Sequence, residues 1–243
     1  MKERSVVVYR GPSMLDGQPI RAVLTLESAN VKTGNMAQLW ILRDDIEPHL
    51  AIKSGADASI CGDCPQRPVN GGGCYVVTFQ GPLSVYRSTL DKPQRLWRAV
   101  WALRMRRALQ HDQRATLRLG AYGDPAAVPA PYLKALVKAV DGRVTGYTHQ
   151  WRNPTFRPLA RFLMASVESP RDQLIAKSQG WRTFRVAPSM ATLGAREIEC
   201  LSESKGLTCA ACGLCAGMSK PAASIAIAAH GFTVKRATSK VSA

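Results

Sequence analysis

Short runs of apolar residues recur along the chain, and their composition is typical of β-strands. They contain β-branched or aromatic residues and are bounded by Gly, Pro or polar residues. Strands are predicted at residues 20–26, 38–42, 115–119, 144–149, 163–167, 181–186 and 224–229. The residues before position 20 are mostly polar and contain turn signals at Gly11 and Gly17. The segment 20–26 is therefore predicted to be the first strand.

Segments with apolar residues at helical spacing lie between several of these strands. In residues 93–110, Leu96, Val100 and Leu103 recur at this spacing, and Trp97 and Trp101 widen the same stripe. The interleaved arginines are interpreted as a solvated face of this helix. Further helices are predicted at 131–140, 156–162 and 169–178, the last of them opened by Ser169 as a cap and Pro170 at the first helical position.

The alternation of strand and helix is typical of βαβ units, which form a parallel sheet covered by helices. The sequence therefore predicts an α/β fold, arranged as a partial or complete parallel β/α barrel with a C-terminal Cys-rich appendage. We predict a barrel-like domain at residues 1–195, a metal-binding segment with four cysteines at 196–231, and a basic tail at 232–243 that is expected to be disordered.

Three polar segments follow predicted strands: the cysteine loop 61–74, the segment Tyr122-Gly123-Asp124, and the segment that begins at His149. Functional loops of parallel α/β folds lie at the carboxyl ends of the strands, so we expect these segments to meet at one edge. His149 is a candidate proton donor, metal ligand or substrate contact. The aromatic and basic residues of segment 146–152 are of the kind that stacks on nucleotides.

The chain has seven cysteines in two groups. The second group has the spacing C-x8-C-x2-C-x2-C, at Cys200, Cys209, Cys212 and Cys215. Two residues between cysteines let a tight turn direct both sulfurs at one ion or cluster. A run of three cysteines at this spacing favours ligation of an iron–sulfur cluster over a zinc ribbon, and zinc remains the alternative.

The first group has only three cysteines, Cys61, Cys64 and Cys74. A closed structural site requires four protein ligands, so this group has either a different fourth ligand, with His149 and Asp63 as candidates, or an open coordination position. Two simpler interpretations stay open. Cys74 could be a buried thiol beside a strand, and Cys61 with Cys64 could be a redox pair.

The formal net charge of the chain is +16. Such a charge attracts polyanions, so DNA or RNA is a candidate partner through a basic surface. No apolar stretch is long enough for a membrane-spanning helix or a signal peptide, so a cytoplasmic protein without a membrane partner is expected. The reducing cytosol in turn favours metal binding over disulfides as the reason for clustered cysteines.

These features together resemble the radical S-adenosylmethionine enzymes that carry an auxiliary cluster. The resemblance consists of three cysteines in one loop, a following helix, a strand that ends in residues 120–125, βα repeats and a four-cysteine tail. It implies [4Fe-4S] clusters on the seven cysteines, with S-adenosylmethionine on the iron that the first group leaves free. By position, Tyr122, Gly123 and Asp124 would contact that cofactor, and Asp124 and His149 would be catalytic.

The spacing of the first group, C-x2-C-x9-C, differs from the C-x3-C-x2-C loop of that family. The chain is also similar to uncharacterised Cys-rich phage-type proteins with Cys-Gly-Asp-Cys-Pro, Tyr-Gly-Asp-Pro and Gly-Tyr-Thr-His-Gln-Trp segments. A second hypothesis is therefore a non-catalytic, zinc-stabilised protein that binds nucleic acid. A hydrolase or phosphate-binding enzyme is not favoured, because the sequence lacks a Gly-x-Ser-x-Gly elbow, a phosphate-binding loop and a His-Glu-x-x-His helix.

Overall fold

The computed structural model describes residues 4–110, 113–187, 193–194 and 196–228. The described strands form one mixed sheet in the order β1-β2-β3-β4-β5-β6-β7-β9-β8. They are β1 (Ser5–Pro12), β2 (Pro19–Thr25), β3 (Ala37–Arg43), β4 (Leu117–Tyr122), β5 (Val144–Thr148), β6 (Met164–Val167), β7 (Thr183–Ala187), β8 (Glu197–Glu199) and β9 (Ser224–Ala228). The first three strands pair antiparallel, and all later neighbours pair parallel.

Helices occupy most of the connections between the strands. They are α1 (Pro48–Ser54), α2 (Ala58–Cys61), α3 (Gly81–Arg87), α4 (Leu96–Leu109), α5 (Ala130–Ala139), α6 (Pro170–Ser178), α7 (Leu201–Ser204) and α8 (Cys209–Cys212). Short 3-10 helices lie at Pro68–Asn70, Pro125–Ala127, Gln150–Arg152, Pro154–Arg161 and Gly217–Ser219. The predicted cap of α6 is confirmed, because the Ser169 hydroxyl accepts a hydrogen bond from the backbone N–H of Asp172 at 3.1 Å.

Strands β3 to β7 lie side by side in chain order, and β9 enters between β7 and β8. The predicted α/β fold with a mostly parallel sheet is thereby confirmed. In the described part of the chain the sheet ends at β1 and β8, so closure into a barrel is not shown. No helix among the described residues has the length and apolar character needed to cross a membrane.

The two faces of the sheet are covered by different parts of the chain. Leu117 and Leu119 of β4 and Val144 of β5 belong to the main core, together with buried residues of α4 and α5. Thr145 and Tyr147 alternate with them along β5 and line a cavity with the four C-terminal cysteines. Because successive residues of a strand point to opposite faces, the four-cysteine segment covers the face opposite α4 and α5.

The structure corrects the predicted start of the sheet. The first strand is β1. The sequence pattern indicates a polar segment with turns here and places the first strand at residues 20–26. Val6, Val7 and Val8 in β1 are all buried. The strand lacks the alternation of a half-buried strand because both of its faces are covered, and such runs are short and hard to recognise without their neighbours.

Helix α4 buries the predicted core residues Val100 and Leu103, but its two tryptophans do not extend this stripe as predicted. Its core residues are Ala99, Val100 and Leu103, whereas Trp97 and Trp101 are 74% and 64% exposed. The two tryptophans are four residues apart and share a face, but that face points away from the core.

The predicted C-terminal appendage is not confirmed. The four-cysteine segment connects β8 to β9, which are neighbouring strands of the sheet. Glu197 of β8 also accepts hydrogen bonds from Arg185 of β7 at 2.6 Å and from Gln173 of α6 at 2.8 Å. The predicted basic tail, residues 232–243, lies outside the described residues.

The buried Arg185–Glu197 ion pair provides a test of this attachment. Replacement of Glu197 with Ala leaves a guanidinium that is 4% exposed without its carboxylate. We expect a loss of about 3–5 kcal/mol in the free energy of unfolding, measured by urea denaturation. The double variant Arg185→Met/Glu197→Leu removes both charges and should lose clearly less. Equal losses in the two variants would show that the charge pair does not hold β8 in place.

Candidate metal sites

The three-cysteine loop lies at the carboxyl edge of the parallel strands, as predicted. It follows β3, which is an inner strand between β2 and β4. Tyr122 is the last residue of β4, His149 follows β5, and Glu168 follows β6. Because these strands are parallel neighbours, the groups after them meet at one edge of the sheet. We call this group of residues the carboxyl-edge site.

Arg67 holds the loop in a compact form although most of it lacks regular structure. Its guanidinium donates to both carboxylate oxygens of Asp57, at 2.7 and 3.0 Å, and to the carbonyls of Gly55 and Gly62. The Asp57 side chain is 2% exposed. A bidentate arginine–carboxylate pair of this kind fixes orientation as well as position. Arg67 therefore connects the end of α1 to the turn between Cys61 and Cys64.

Close backbone approaches join the loop to the ends of β4 and β5. The Asp124 N–H donates to the carbonyl of Ile60 at 2.6 Å, and the Gln150 side chain donates to the carbonyl of Cys61 at 3.3 Å. Gly62 has φ of +55°, and a Cβ there would lie 2.4 Å from the Gln150 side chain. A residue with a side chain would be both strained and obstructed at this position.

Cys61, Cys64 and Cys74 are close enough for their charges to interact. Burial raises the pKa of Cys61 well above its usual value, and the neighbouring Cys64, Asp57, Cys74 and Asp124 charges raise it further. Burial is also the main cause of the raised pKa of Cys74. Arg67 offsets part of the negative charge that three thiolates and two carboxylates would carry here, and a metal would offset the rest.

His149 is the histidine that the structure brings to this site. Its Nε2 lies 3.8 Å from Cys64 Sγ and 3.1 Å from Glu168 Oε1. Burial lowers the pKa of His149, but hydrogen bonds and charges from Cys64 and Glu168 outweigh it and raise the pKa to about 10. Both partners approach the same ring nitrogen, so the three residues do not have the geometry of a catalytic triad, in which nucleophile and acid contact different nitrogens.

The structure assigns different environments to the other predicted site residues. Asp124 is buried, and its two carboxylate oxygens accept the backbone N–H groups of Ala126 and His149 at 2.9 and 2.8 Å. Gly123 has φ of +76°, and a Cβ there would lie 2.8 Å from Ile41. Asp63, the other proposed fourth ligand, is exposed.

Tyr122 carries an unpartnered polar atom into the carboxyl-edge site. Its side chain is buried, and within the described ranges its hydroxyl has no hydrogen-bond partner. Burial raises the pKa of Tyr122, and the charges of Cys61, Asp57 and Cys74 raise it further, so the phenol lies within the electrostatic range of these groups. An unpaired buried hydroxyl is unfavourable unless a ligand completes its hydrogen bonding.

The four C-terminal cysteines line one cavity of about 20 Å³. Cys209 and Cys212 are the first and last residues of α8, and Gly213 after them has φ of +62°, which turns the chain toward Cys215. The Thr208 hydroxyl accepts the backbone N–H of Ala211 and caps this short helix. Tight turns therefore bring sulfurs from distant parts of the segment to one place.

Burial also dominates the chemistry of these thiols. It raises the pKa of Cys215 to about 12, although a hydrogen bond from Tyr147 acts in the opposite direction.

Arg118 lies between the two cysteine groups. It donates to the hydroxyl of Tyr75, the residue after Cys74, at 2.7 Å, and its charge favours the thiolate of Cys209.

The two sites differ in how well they fit a metal. Among the described residues no three or more His, Cys, Asp or Glu side chains are arranged so that they could hold a metal ion as they stand. Metal binding at either site therefore requires the ligand side chains to rearrange. The four thiols around one pocket could supply every ligand of a closed site, whereas the three thiols of the carboxyl-edge site leave one position open.

Sequence reasoning missed three residues of the sites: Arg67, Glu168 and Arg118. Glu168 could have been found, because it follows its strand in the same position as His149. The sequence predicts a nucleotide-stacking surface in segment 146–152, but Trp151 is buried and donates to the carbonyl of Ser166.

A comparison with family models, curated proteins and solved structures finds no match to this chain.

The Arg67–Asp57 pair provides a test of how the three-cysteine loop is held. Arg67→Lys keeps the charge but cannot bond both carboxylate oxygens and two carbonyls together. We expect limited proteolysis between residues 62 and 73 to become about tenfold faster, equivalent to about 1.4 kcal/mol of local stability. The control is Arg87→Lys, which changes the exposed pair with Glu47 and should leave cleavage of the loop at its wild-type rate. Unchanged cleavage in Arg67→Lys would contradict this role.

Proposed function

We propose that this chain is a metal-binding protein in which the carboxyl-edge site is reactive and the four-cysteine site is structural or auxiliary. The observation that carries the proposal is the convergence of Cys61, Cys64 and Cys74 with Tyr122 and His149 at the ends of consecutive parallel strands. This edge is where α/β folds hold their ligands.

The number of thiols supports a reactive role for the carboxyl-edge site. Three cysteine ligands leave one coordination position, which in catalytic metal sites is available to a substrate or cofactor. We propose a [4Fe-4S] cluster here, whose chemistry would be electron transfer to a bound S-adenosylmethionine, as in the radical enzymes that the sequence resembles. The barrel-like arrangement of that family is likewise proposed for this fold.

The residues around the thiols have separate roles in this proposal. The Tyr122 hydroxyl would donate a hydrogen bond to the cofactor, since it has no partner among the described residues. His149 holds a proton at Nε2 between Cys64 and Glu168. Asp124 binds the backbone of His149. Its contacts favour a positioning role over the cofactor contact that its place in the sequence suggests. Gly123 allows the backbone to turn between Tyr122 and Asp124.

The substrate class is proposed from charge. The net charge of +16 favours a nucleic acid or another anionic substrate. A cytoplasmic location is proposed with it, because a reducing compartment keeps the thiols available for metal.

A zinc-stabilised, non-catalytic protein that binds nucleic acid is the second candidate. The observation that favours it is that all four C-terminal cysteines line one pocket, so this group could supply four thiolate ligands. Zinc bound by four thiolates is a closed structural site that contributes directly to folding. In this case the basic surface would be the functional part of the protein.

Metal analysis of anaerobically purified protein distinguishes the two candidates. Two [4Fe-4S] clusters predict about eight irons with matching sulfide per chain and a brown colour. The second candidate predicts zinc and no colour. Cys64→Ala should remove only the metal of the carboxyl-edge site, and the matched variant Cys212→Ala only that of the other site. Absence of metal from the wild type would overturn both candidates.

Cleavage of S-adenosylmethionine tests the reactive role separately. After reduction with dithionite, the wild type should cleave the cofactor, and Cys61→Ala, Cys64→Ala and Cys74→Ala should each reduce cleavage to background. Tyr122→Phe keeps the ring and the thiols, so it should weaken cofactor binding and leave the iron content unchanged. Chromatographic analysis of the products measures the cleavage. An iron-loaded wild type that never cleaves the cofactor would rule out this chemistry.

A further inference from the structure

Helix α4 presents an aromatic and basic face that the core does not use. Trp97, Trp101 and Met105 are exposed and follow each other at four-residue spacing, so they form one stripe. Arg98 and Arg104 are exposed on either side of this stripe. The helix contains four arginines and no Asp or Glu. Exposed tryptophans are unfavourable in water, so a face of this kind is typical of an interaction surface.

An open groove continues this face toward α5. Its volume is about 850 Å³, and its walls include Arg95, Trp97, Arg98 and Tyr132. Tyr132 is fixed from behind by Tyr9, with ring centroids 4.8 Å apart, and its hydroxyl accepts a hydrogen bond from Gln94 at 3.3 Å. The groove therefore combines two aromatic rings with two guanidinium groups in a concave surface.

We propose that this face, defined as Trp97, Trp101, Arg98, Arg104 and the groove beside Tyr132, binds single-stranded nucleic acid. Bases stack on aromatic side chains whatever their sequence, and arginines bind the phosphates between them. Charge complementarity supports this occupant, since the helix is purely cationic and the chain has a net charge of +16. Base-paired DNA hides the faces of its bases, so the single strand is the form that this surface fits.

An anionic membrane is the competing occupant of a helix with tryptophan and arginine. Helices that lie on membranes present a wide apolar face with the charges opposite. On α4 the apolar stripe is narrow, with Arg98 and Arg104 on its two sides, and the adjoining surface is concave. These features favour a flexible strand over a flat bilayer.

The inference deepens the proposed function, since it names the substrate class and the surface that would bind it. Its test does not depend on the metal. None of the residues involved belongs to either cysteine group, so the binding assay and the metal analysis can fail independently.

The test measures binding of the full-length protein to a fluorescein-labelled 16-nucleotide single strand of mixed sequence, by anisotropy at several salt concentrations. The wild type should bind this strand more tightly than the corresponding duplex, with affinity that falls as salt rises. Trp97→Ala and Trp101→Ala should each weaken binding about 5- to 150-fold, and Trp→Phe at the same positions should restore part of it. Arg104→Gln should reduce the slope of log affinity against log salt concentration by about one, because one phosphate contact is lost.

The matched control is Leu174→Ala, which removes an equally exposed apolar side chain, 63% accessible, from α6. It should bind like the wild type. Metal content and circular dichroism of every variant should match the wild type, because the substituted side chains are exposed. Unchanged affinity in both tryptophan variants would overturn the proposal. It would also be overturned if these variants lost binding to phosphatidylserine vesicles and kept binding to the oligonucleotide.

Discussion

The parallel pairing of β3, β4, β5 and β6 is the constraint on which the candidate site depends. Parallel neighbours place their carboxyl ends at the same edge, so the loop after β3 meets Tyr122, His149 and Glu168 although these residues are far apart in the chain. The Arg67–Asp57 pair keeps the loop compact. Hydrogen bonds from Asp124 and Gln150 to the carbonyls of Ile60 and Cys61 join it to these ends. Loss of this pairing would separate the thiols from every group that the proposed chemistry uses.

The charges and burial of the carboxyl-edge site are a second constraint on its chemistry. The carboxyl-edge site gathers three thiols with the carboxylates of Asp57 and Asp124, and burial raises the pKa of Cys61. Burial favours the protonated thiol of Cys61, and a metal would stabilise the thiolate while it displaces the proton. Arg118 provides fixed positive charge between the two cysteine groups, which favours the thiolate of Cys209. Burial and charge together are the electrostatic basis of the metal binding that we propose for the two groups.

Local signals allowed much of the fold to be predicted. Ser169 and Pro170 define the start of α6, and the order of strands and helices after residue 115 indicates the parallel sheet. Burial that depends on distant neighbours could not be predicted in this way. The first five residues of β1 are all buried and show no alternation, and Trp97 and Trp101 fit the spacing of a core stripe but lie outside it. The spacing of the seven cysteines is enough to divide them into two groups. The roles of Arg67 and Arg118 depend on contacts that exist only in the folded chain.

A crystal structure of the anaerobically purified protein, with anomalous diffraction at the iron and zinc edges, would locate both metals directly. Two separate anomalous peaks are expected. One should lie beside Cys61, Cys64 and Cys74 near His149, and the other among the four C-terminal cysteines. Iron should give the first peak, with the sulfurs about 2.3 Å from the metal. A Cys61–Cys64 disulfide, or reduced thiols without an anomalous peak at the carboxyl edge, would contradict this expectation.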